Sequence, residues 1–295
     1  MKTIKTFPPA ATQAATVILT REYAGELQIY LLKRNPNSGF MAGNYVFPGG
    51  ALDDEDWQFN AYKNHIDIDI DDMLNRLGGD LSKDQVLACS VAAVRETFEE
   101  AGIFLGHRNN AFKIDLEQVC ILRLAGDLEK DWFKKMVVEM NCCLALSALS
   151  RWAHWITPEL MKRRFDTRFF IAAMPTDQIC RPDTRETVEG LWMSPEEALT
   201  GNLTGKIPLS PPTLVTLHEL LKYSNQKNLL AAVKNRQWGP PLLPRMIPIE
   251  KGAVIVEPWD PMYHQRKIEI NANKLSESVL PVGRSFSRIW QNDGV

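Results

Sequence analysis

The sequence predicts an α/β fold, and three features carry that reading. Two apolar, β-branched runs at residues 14–19 and 28–34 are split by Tyr23-Ala24-Gly25-Glu26 and read as a hairpin. A further strand, Tyr45-Val46-Phe47, ends at Pro48-Gly49-Gly50. Between Ser82 and Gly102, Leu87, Val91, Val94, Phe98 and Ala101 recur at 4-3-4-3 spacing, the apolar stripe of a helix that needs a core beneath it.

Each element has its own local reason. After the hairpin, Asn35-Pro36-Asn37-Ser38-Gly39 is a turn, and the glycine pair permits close backbone approach to a phosphate. The stretch 57–81 is acidic. Asp67, Asp69, Asp71 and Asp72 lack the glycine and closing glutamate of a calcium loop, so Asp71 or Asp72 is expected to cap a short helix through Met73, Leu74 and Leu77. Ser82 and Gln85 form a capping box for the long helix, and Gly102 ends it. Phe133, Val137, Met140 and Leu144 predict a core helix within 127–150. Residues 152–157 alternate as a strand in which His154 reads as structural, and 169–174 form another. Helices are expected at 211–223, opened by Ser210, and at 226–235, with a terminal hairpin of 253–256 and 267–270.

Composition narrows the function. The chain has 295 residues, 45% hydrophobic, which suffices for a substantial core in one domain spanning 1–295. A formal charge of −2 supplies no basic field for long nucleic acid. Five cysteines without a Cys-x-x-Cys pair argue against a disulfide framework or structural zinc and read as buried thiols. The start, Met1 to Lys5, has no apolar segment behind it, so neither a signal peptide nor a membrane span is expected. The final Asn292-Asp293-Gly294-Val295 is not a Ser-Lys-Leu type address, and a cytoplasmic location is expected.

Chemistry concentrates on the long helix. At about 100° per residue, Glu96, Glu99 and Glu100 share one face. Three carboxylates this close repel one another, and a hard divalent cation with oxygen ligands relieves that repulsion. A solvated acidic face is the plain alternative, but Gly49-Gly50 and Asp56 upstream weigh against it. Together these residues resemble the Nudix box, G-x5-E-x7-R-E-U-x-E-E-x-G-U with U aliphatic. Gly50, Arg95, Glu96, Glu99, Glu100, Gly102 and Ile103 match; Asp56 replaces the first glutamate and Thr97 the first aliphatic residue. Where the pattern has seven residues before the arginine, this chain has 38. Such an insertion, Arg164-Phe165-Asp166-Thr167-Arg168-Phe169-Phe170 and the overall length resemble the coenzyme A diphosphatase subgroup.

The resemblance implies an α/β/α sandwich around a mixed sheet, with 57–85 as an insertion in the box and 205–295 as a C-terminal elaboration. It implies Mg²⁺ or Mn²⁺ on Glu96, Glu99 and Glu100, with Arg95 holding the carboxylates. Glu186 is the implied general base and Glu189 the second choice. Gly49, Gly50, Arg34, Arg164 and Arg168 are candidates for substrate contacts; for the basic cluster of Arg163, Arg164 and Arg168 the alternative is that one arginine pairs with Asp166 and the others are solvated. The implied reaction is hydrolysis of coenzyme A or an acyl derivative to 3′,5′-ADP and (acyl-)4′-phosphopantetheine. Rival readings are a pyrophosphatase for ADP-ribose, dinucleotides or capped RNA ends, and a binding module without catalysis. A small-molecule diphosphate is the expected partner, and family members commonly form homodimers.

Overall fold

A computed structural model describes residues 8–108 and 116–291. The terminal stretches Met1 to Lys5 and Asn292 to Val295, from which location was read, lie outside the described residues. The hairpin forms from β1 (Thr12–Tyr23) and β2 (Glu26–Arg34) across Ala24-Gly25, whose φ angles of +53° and +83° suit the tight turn of twisted strands. β3 (Tyr45–Val46) pairs with the far part of β2. β4 (Gly49–Ala51) then folds back onto β1 with Gly50 opposite Ala15 and Gly49 opposite Thr16.

The stretch after β4 holds α1 (Phe59–Tyr62) and α2 (Ile70–Met73), which runs on as a π turn over Leu74–Gly78. Its cap is Asp69, not Asp71 or Asp72. Asp69 alone of the three precedes the helix with extended backbone, so its carboxylate accepts the Asp72 N–H at 2.9 Å. α3 (Lys83–Ala101) begins in the expected capping box, with hydrogen bonds of 2.8 and 3.3 Å between Ser82 and Gln85. It stops at Gly102, φ +73°.

β5 (Gly106–Arg108) is followed by α4 (Leu116–Ala125), α5 (Trp132–Glu139) and β6 (Cys142–Leu144). The single helix expected through Leu144 is therefore shorter. Asn141 takes φ +50°, turning the chain into β6, which pairs with β5. Leu144 is buried on a strand and not on the helix.

β7 (Ser150–Ile156), β8 (Phe165–Ala173) and β9 (Thr187–Met193) complete the main sheet. β8 runs parallel to β1 with Thr16 opposite Phe169, β7 is antiparallel to β8, and β9 is antiparallel to β2. The sheet is thus mixed. α6 (Pro195–Leu203), α7 (Pro211–Leu220) and α8 (Gln226–Val233) follow. The terminal sheet consists of β10 (Arg245–Ile249), β11 (Gly252–Val256) and β12 (Arg288–Gln291). Residues 267–270 are not a strand; β11 pairs with β10 and β12 instead, so the expected terminal hairpin has a different partner.

Period-two alternation sends the side chains of β1 to two cores. Ala15, Val17 and Leu19 pack with Val91, Val94 and Phe98 of α3. Ile18 packs on the other face with α6, α7 and α8 through Ala198, Leu217 and Leu229. Helices on both faces of a mixed sheet make the α/β/α sandwich. Among the described residues no helix is long and apolar enough to cross a membrane.

Candidate active site

The carboxylate face of α3 meets the bare backbone of β4. Glu100 is buried and accepts the Gly49 N–H at 2.9 Å, while Arg34 lies 3.8 Å from its other oxygen. A methyl group on Gly50 would sit 2.5 Å from a Glu96 carboxylate oxygen, so glycine there is room for the carboxylate. On Gly49 a Cβ would meet the Ala15 carbonyl oxygen at 2.5 Å. The glycine pair therefore accommodates the acidic face, and both residues line the cleft.

Arg95 ties the face together. Its Nε and Nη2 donate to both oxygens of buried Asp56 at 3.0 and 2.8 Å, and Nη2 also donates to the Ala51 carbonyl oxygen at 2.9 Å. Its Nη1 donates to Glu96 at 2.9 Å and to Glu99 at 2.8 Å. Burial works against the guanidinium charge, but Asp56, Glu96 and Glu99 outweigh it and hold the arginine protonated. The carboxylates are less well served. Burial drives Glu96 well above the ordinary range, Arg95 opposes this, and Glu99 and Glu100 add to it. Glu100 is pushed up to about 8, chiefly by burial, against the pull of the Gly49 N–H and Arg34.

These groups sit at one end of a cavity of about 420 Å³. Glu186 lines it from the loop before β9, exposed, and its charge adds to the rise at Glu100. Its loop is clipped down by hydrogen bonds from the Asn35 N–H to the Glu186 carbonyl and from the Asp183 N–H to the Glu100 carbonyl, both 2.9 Å. Glu189 is outside the lining and accepts the Tyr45 hydroxyl at 2.6 Å.

Arg34 lines the cavity, but Arg164 and Arg168 do not. Strand alternation puts Phe165, Thr167 and Phe169 toward the cavity and the intervening residues away from it. Arg164 donates to the carbonyls of Thr157 and Pro9, and Arg168 grips both oxygens of Asp80 at 3.0 and 3.1 Å. Neither has Asp166 as its partner, because that carboxylate is engaged by His154. The arginine that does reach the cavity from this segment is Arg163, whose guanidinium lies 5.0 Å from the centre of the Phe165 ring.

Two further positioning residues have no local sequence signal. Trp132 of α5 donates its indole N–H to Glu99 at 3.0 Å from 33 residues away. Arg123 of α4, fully buried, donates to the Glu99 carbonyl at 2.8 Å and the Arg181 carbonyl at 2.6 Å, joining the end of α3 to the loop that carries Glu186.

Among the described residues no three carboxylates converge at metal-ligand distance. The reason is visible in the hydrogen bonds: Arg95 Nη1 lies against both Glu96 and Glu99, and Glu100 is turned to Gly49. The donor chemistry nevertheless fits a hard divalent cation. Asp53, Glu96, Glu99, Glu100 and Glu186 face the same cavity, and Arg34, Arg95 and Arg163 do not balance their charge.

The NUDT19 Nudix domain model matches residues 9–220. The acyl-coenzyme A diphosphatase NUDT19 of Xenopus laevis is 28% identical over 315 residues, covering 91% of this chain and 82% of that protein. Its counterpart of the same name from Homo sapiens is 28% identical over 306 residues, covering 89% and 80%. A crystal structure of a Nudix hydrolase from Alicyclobacillus acidocaldarius shares the fold with a TM-score of 0.58 at 24% identity, over 77% of this chain and 99% of that one. The chain therefore belongs to the Nudix hydrolases, within them to the family of the NUDT19 Nudix domain, and acts on a nucleoside-diphosphate-linked small molecule.

Proposed function

We propose that the protein is a metal-dependent diphosphatase of coenzyme A and its acyl derivatives, releasing 3′,5′-ADP and (acyl-)4′-phosphopantetheine. One observation carries the reading: the cavity lined by the carboxylates and the glycine pair is also lined by Phe40, Trp155, Met161 and Met246, so acidic and apolar surface share one space. A diphosphate with a long, weakly polar arm matches both surfaces. The relatives named acyl-coenzyme A diphosphatase support the same substrate.

In this reading Glu96, Glu99 and Glu100 hold Mg²⁺ or Mn²⁺, which supplies positive charge against the diphosphate oxygens. Arg95 orients Glu96 and Glu99 while anchored on Asp56. Arg34 reaches the cavity beside Glu100, placed to contact a phosphate oxygen. Glu186, exposed at the rim, takes the proton of the attacking water; its freedom from ion pairing among the described residues leaves the carboxylate available as a base. Gly49 and Gly50 keep side chains out of the space between the carboxylates and the substrate.

The test is product analysis with Mg²⁺ or Mn²⁺ against coenzyme A, acetyl-coenzyme A, ADP-ribose, NADH and a capped RNA, with Glu100→Gln beside the wild type. Release of 3′,5′-ADP, reduced at least about a hundredfold in the variant, is expected. Preferential turnover of ADP-ribose or NADH would overturn the substrate and keep the chemistry. No turnover of any would favour a binding module.

A further inference from the structure

The chain's last segment contributes Pro244, Met246, Ile255 and Gln291 to the cavity lining. Strand register supplies a ruler for its distance from the carboxylates. Gly49 lies opposite Thr16, and Thr16 opposite Phe169. Phe165 stands four residues back along β8, about 13 Å away at strand spacing. The bridge between Leu242 and Trp155, which lies opposite Thr167, lays the chain parallel to β7, so Pro244, two residues on, comes about level with Phe165, and Met246 follows in the cavity lining. Met246 and Ile255 are direct cross-strand partners in β10 and β11, and both line the cavity. Pro244, Met246 and Ile255 lie past the 9–220 stretch that the family model matches.

We propose that the Met246–Ile255 pair is the end wall of an acyl subsite and sets the length of acyl chain accepted. The proposal rests on the coenzyme A reading above. The pantetheine arm has thirteen bonds from phosphorus to sulfur, roughly 15 Å when extended at the rise per bond of a peptide chain. With the diphosphate at Gly49 and Gly50, the thioester sulfur reaches about the level of Phe165 and Pro244, and the acyl carbons run on toward Met246 and Ile255. Met161, Phe165, Pro244, Met246 and Ile255 offer apolar surface to an alkyl chain, with Arg163 and Gln291 as the polar members of the same lining. Methionine, flexible and unbranched, suits a wall that meets chains of several lengths.

The experiment compares kcat/KM of the full-length protein for free, butyryl-, octanoyl- and palmitoyl-coenzyme A and for ADP-ribose, in the wild type, Met246→Trp and Met246→Ala. The octanoyl-to-free ratio is expected to fall at least about tenfold in Met246→Trp, as filling an apolar pocket by several carbons does. Met246→Ala, which enlarges the space, shifts the preference toward the longer chain and decides the matter alone if the tryptophan variant does not fold. Ratios unmoved in both folded variants overturn the end wall. ADP-ribose turnover that falls while acyl ratios stay constant assigns the apolar surface to a base instead. Wild-type hydrolysis of ADP-ribose with no turnover of any coenzyme A species removes the parent reading and the proposal with it.

Discussion

Arg95 is one residue doing three tasks: it satisfies a buried aspartate, a strand carbonyl and two glutamates through one planar fork. That arrangement sets the positions of Glu96 and Glu99 only if nothing pushes back from β4. Gly50 is the test of this. An alanine methyl there would lie 2.5 Å from a Glu96 oxygen, far inside contact distance, and the neighbouring atom is the end of a side chain that can swing away. Gly50→Ala is therefore expected to leave a folded protein with little change in melting temperature and a loss of activity of about a hundredfold or more. Circular dichroism and kcat with coenzyme A read the two effects separately. Gly49→Ala would instead drive a methyl against the fixed Ala15 carbonyl. An active Gly50→Ala enzyme would show that Glu96 need not stand where the structure places it.

At the scale of elements, legibility followed locality. The hairpin and α3 were readable because their signals, the split apolar runs and the capping box with its closing glycine, lie within a turn or two of the residues they organise. The helix predicted through Leu144 failed because a 4-residue apolar spacing continues into β6 by chance of position, while Asn141 has already reversed the chain. Arg168 on β8 and Arg164 just before it lie outside the cavity lining for a related reason: alternation separates Arg168 from Phe165, Thr167 and Phe169, but only the assembled sheet says which set meets the cavity. Trp132 and Arg123 reach the site from helices far along the chain, so no spacing announces them.

Glu257, just past β11, was equally silent. Its carboxyl is fully buried with neither oxygen hydrogen-bonded among the described residues, and burial pushes its pKa up to about 8 from an ordinary 4.5. Below about 4.5 both folded and unfolded chains keep the proton; between 4.5 and 8 the unfolded chain loses it first, so stability falls as pH rises. Glu257→Gln is expected to remove that loss and to gain roughly 2–4 kcal/mol relative to wild type between pH 5 and pH 8 in urea unfolding. Equal pH slopes in the two proteins would mean that the folded state solvates the carboxylate.

For the molecule as a whole, a net charge of −2 hides a steep local imbalance. The fold draws Glu96, Glu99 and Glu100 partly or wholly out of water, where burial above all raises their pKa values, joined by Glu99 and Glu100 at Glu96, Asp53 at Glu99, and Glu186 and Glu99 at Glu100, and it supplies too few cations in return. Such a site costs stability that a bound divalent ion gives back, because an ion that binds only the folded state raises its stability with concentration. Adding Mg²⁺ or Mn²⁺ to a chelator-treated sample is expected to raise the melting temperature by a few degrees, reaching about 2.7 kcal/mol at a hundredfold excess over Kd. Potassium at the same ionic strength should do much less, since screening does not replace coordination. Glu96→Gln relieves one repulsion, so its metal-free melting temperature should rise above that of the wild type while the shift on adding the cation shrinks. Scanning calorimetry of both proteins with and without the ion separates these outcomes. A full cation shift retained in Glu96→Gln would place the ion away from the α3 carboxylates, and with it the centre around which the cavity has been read.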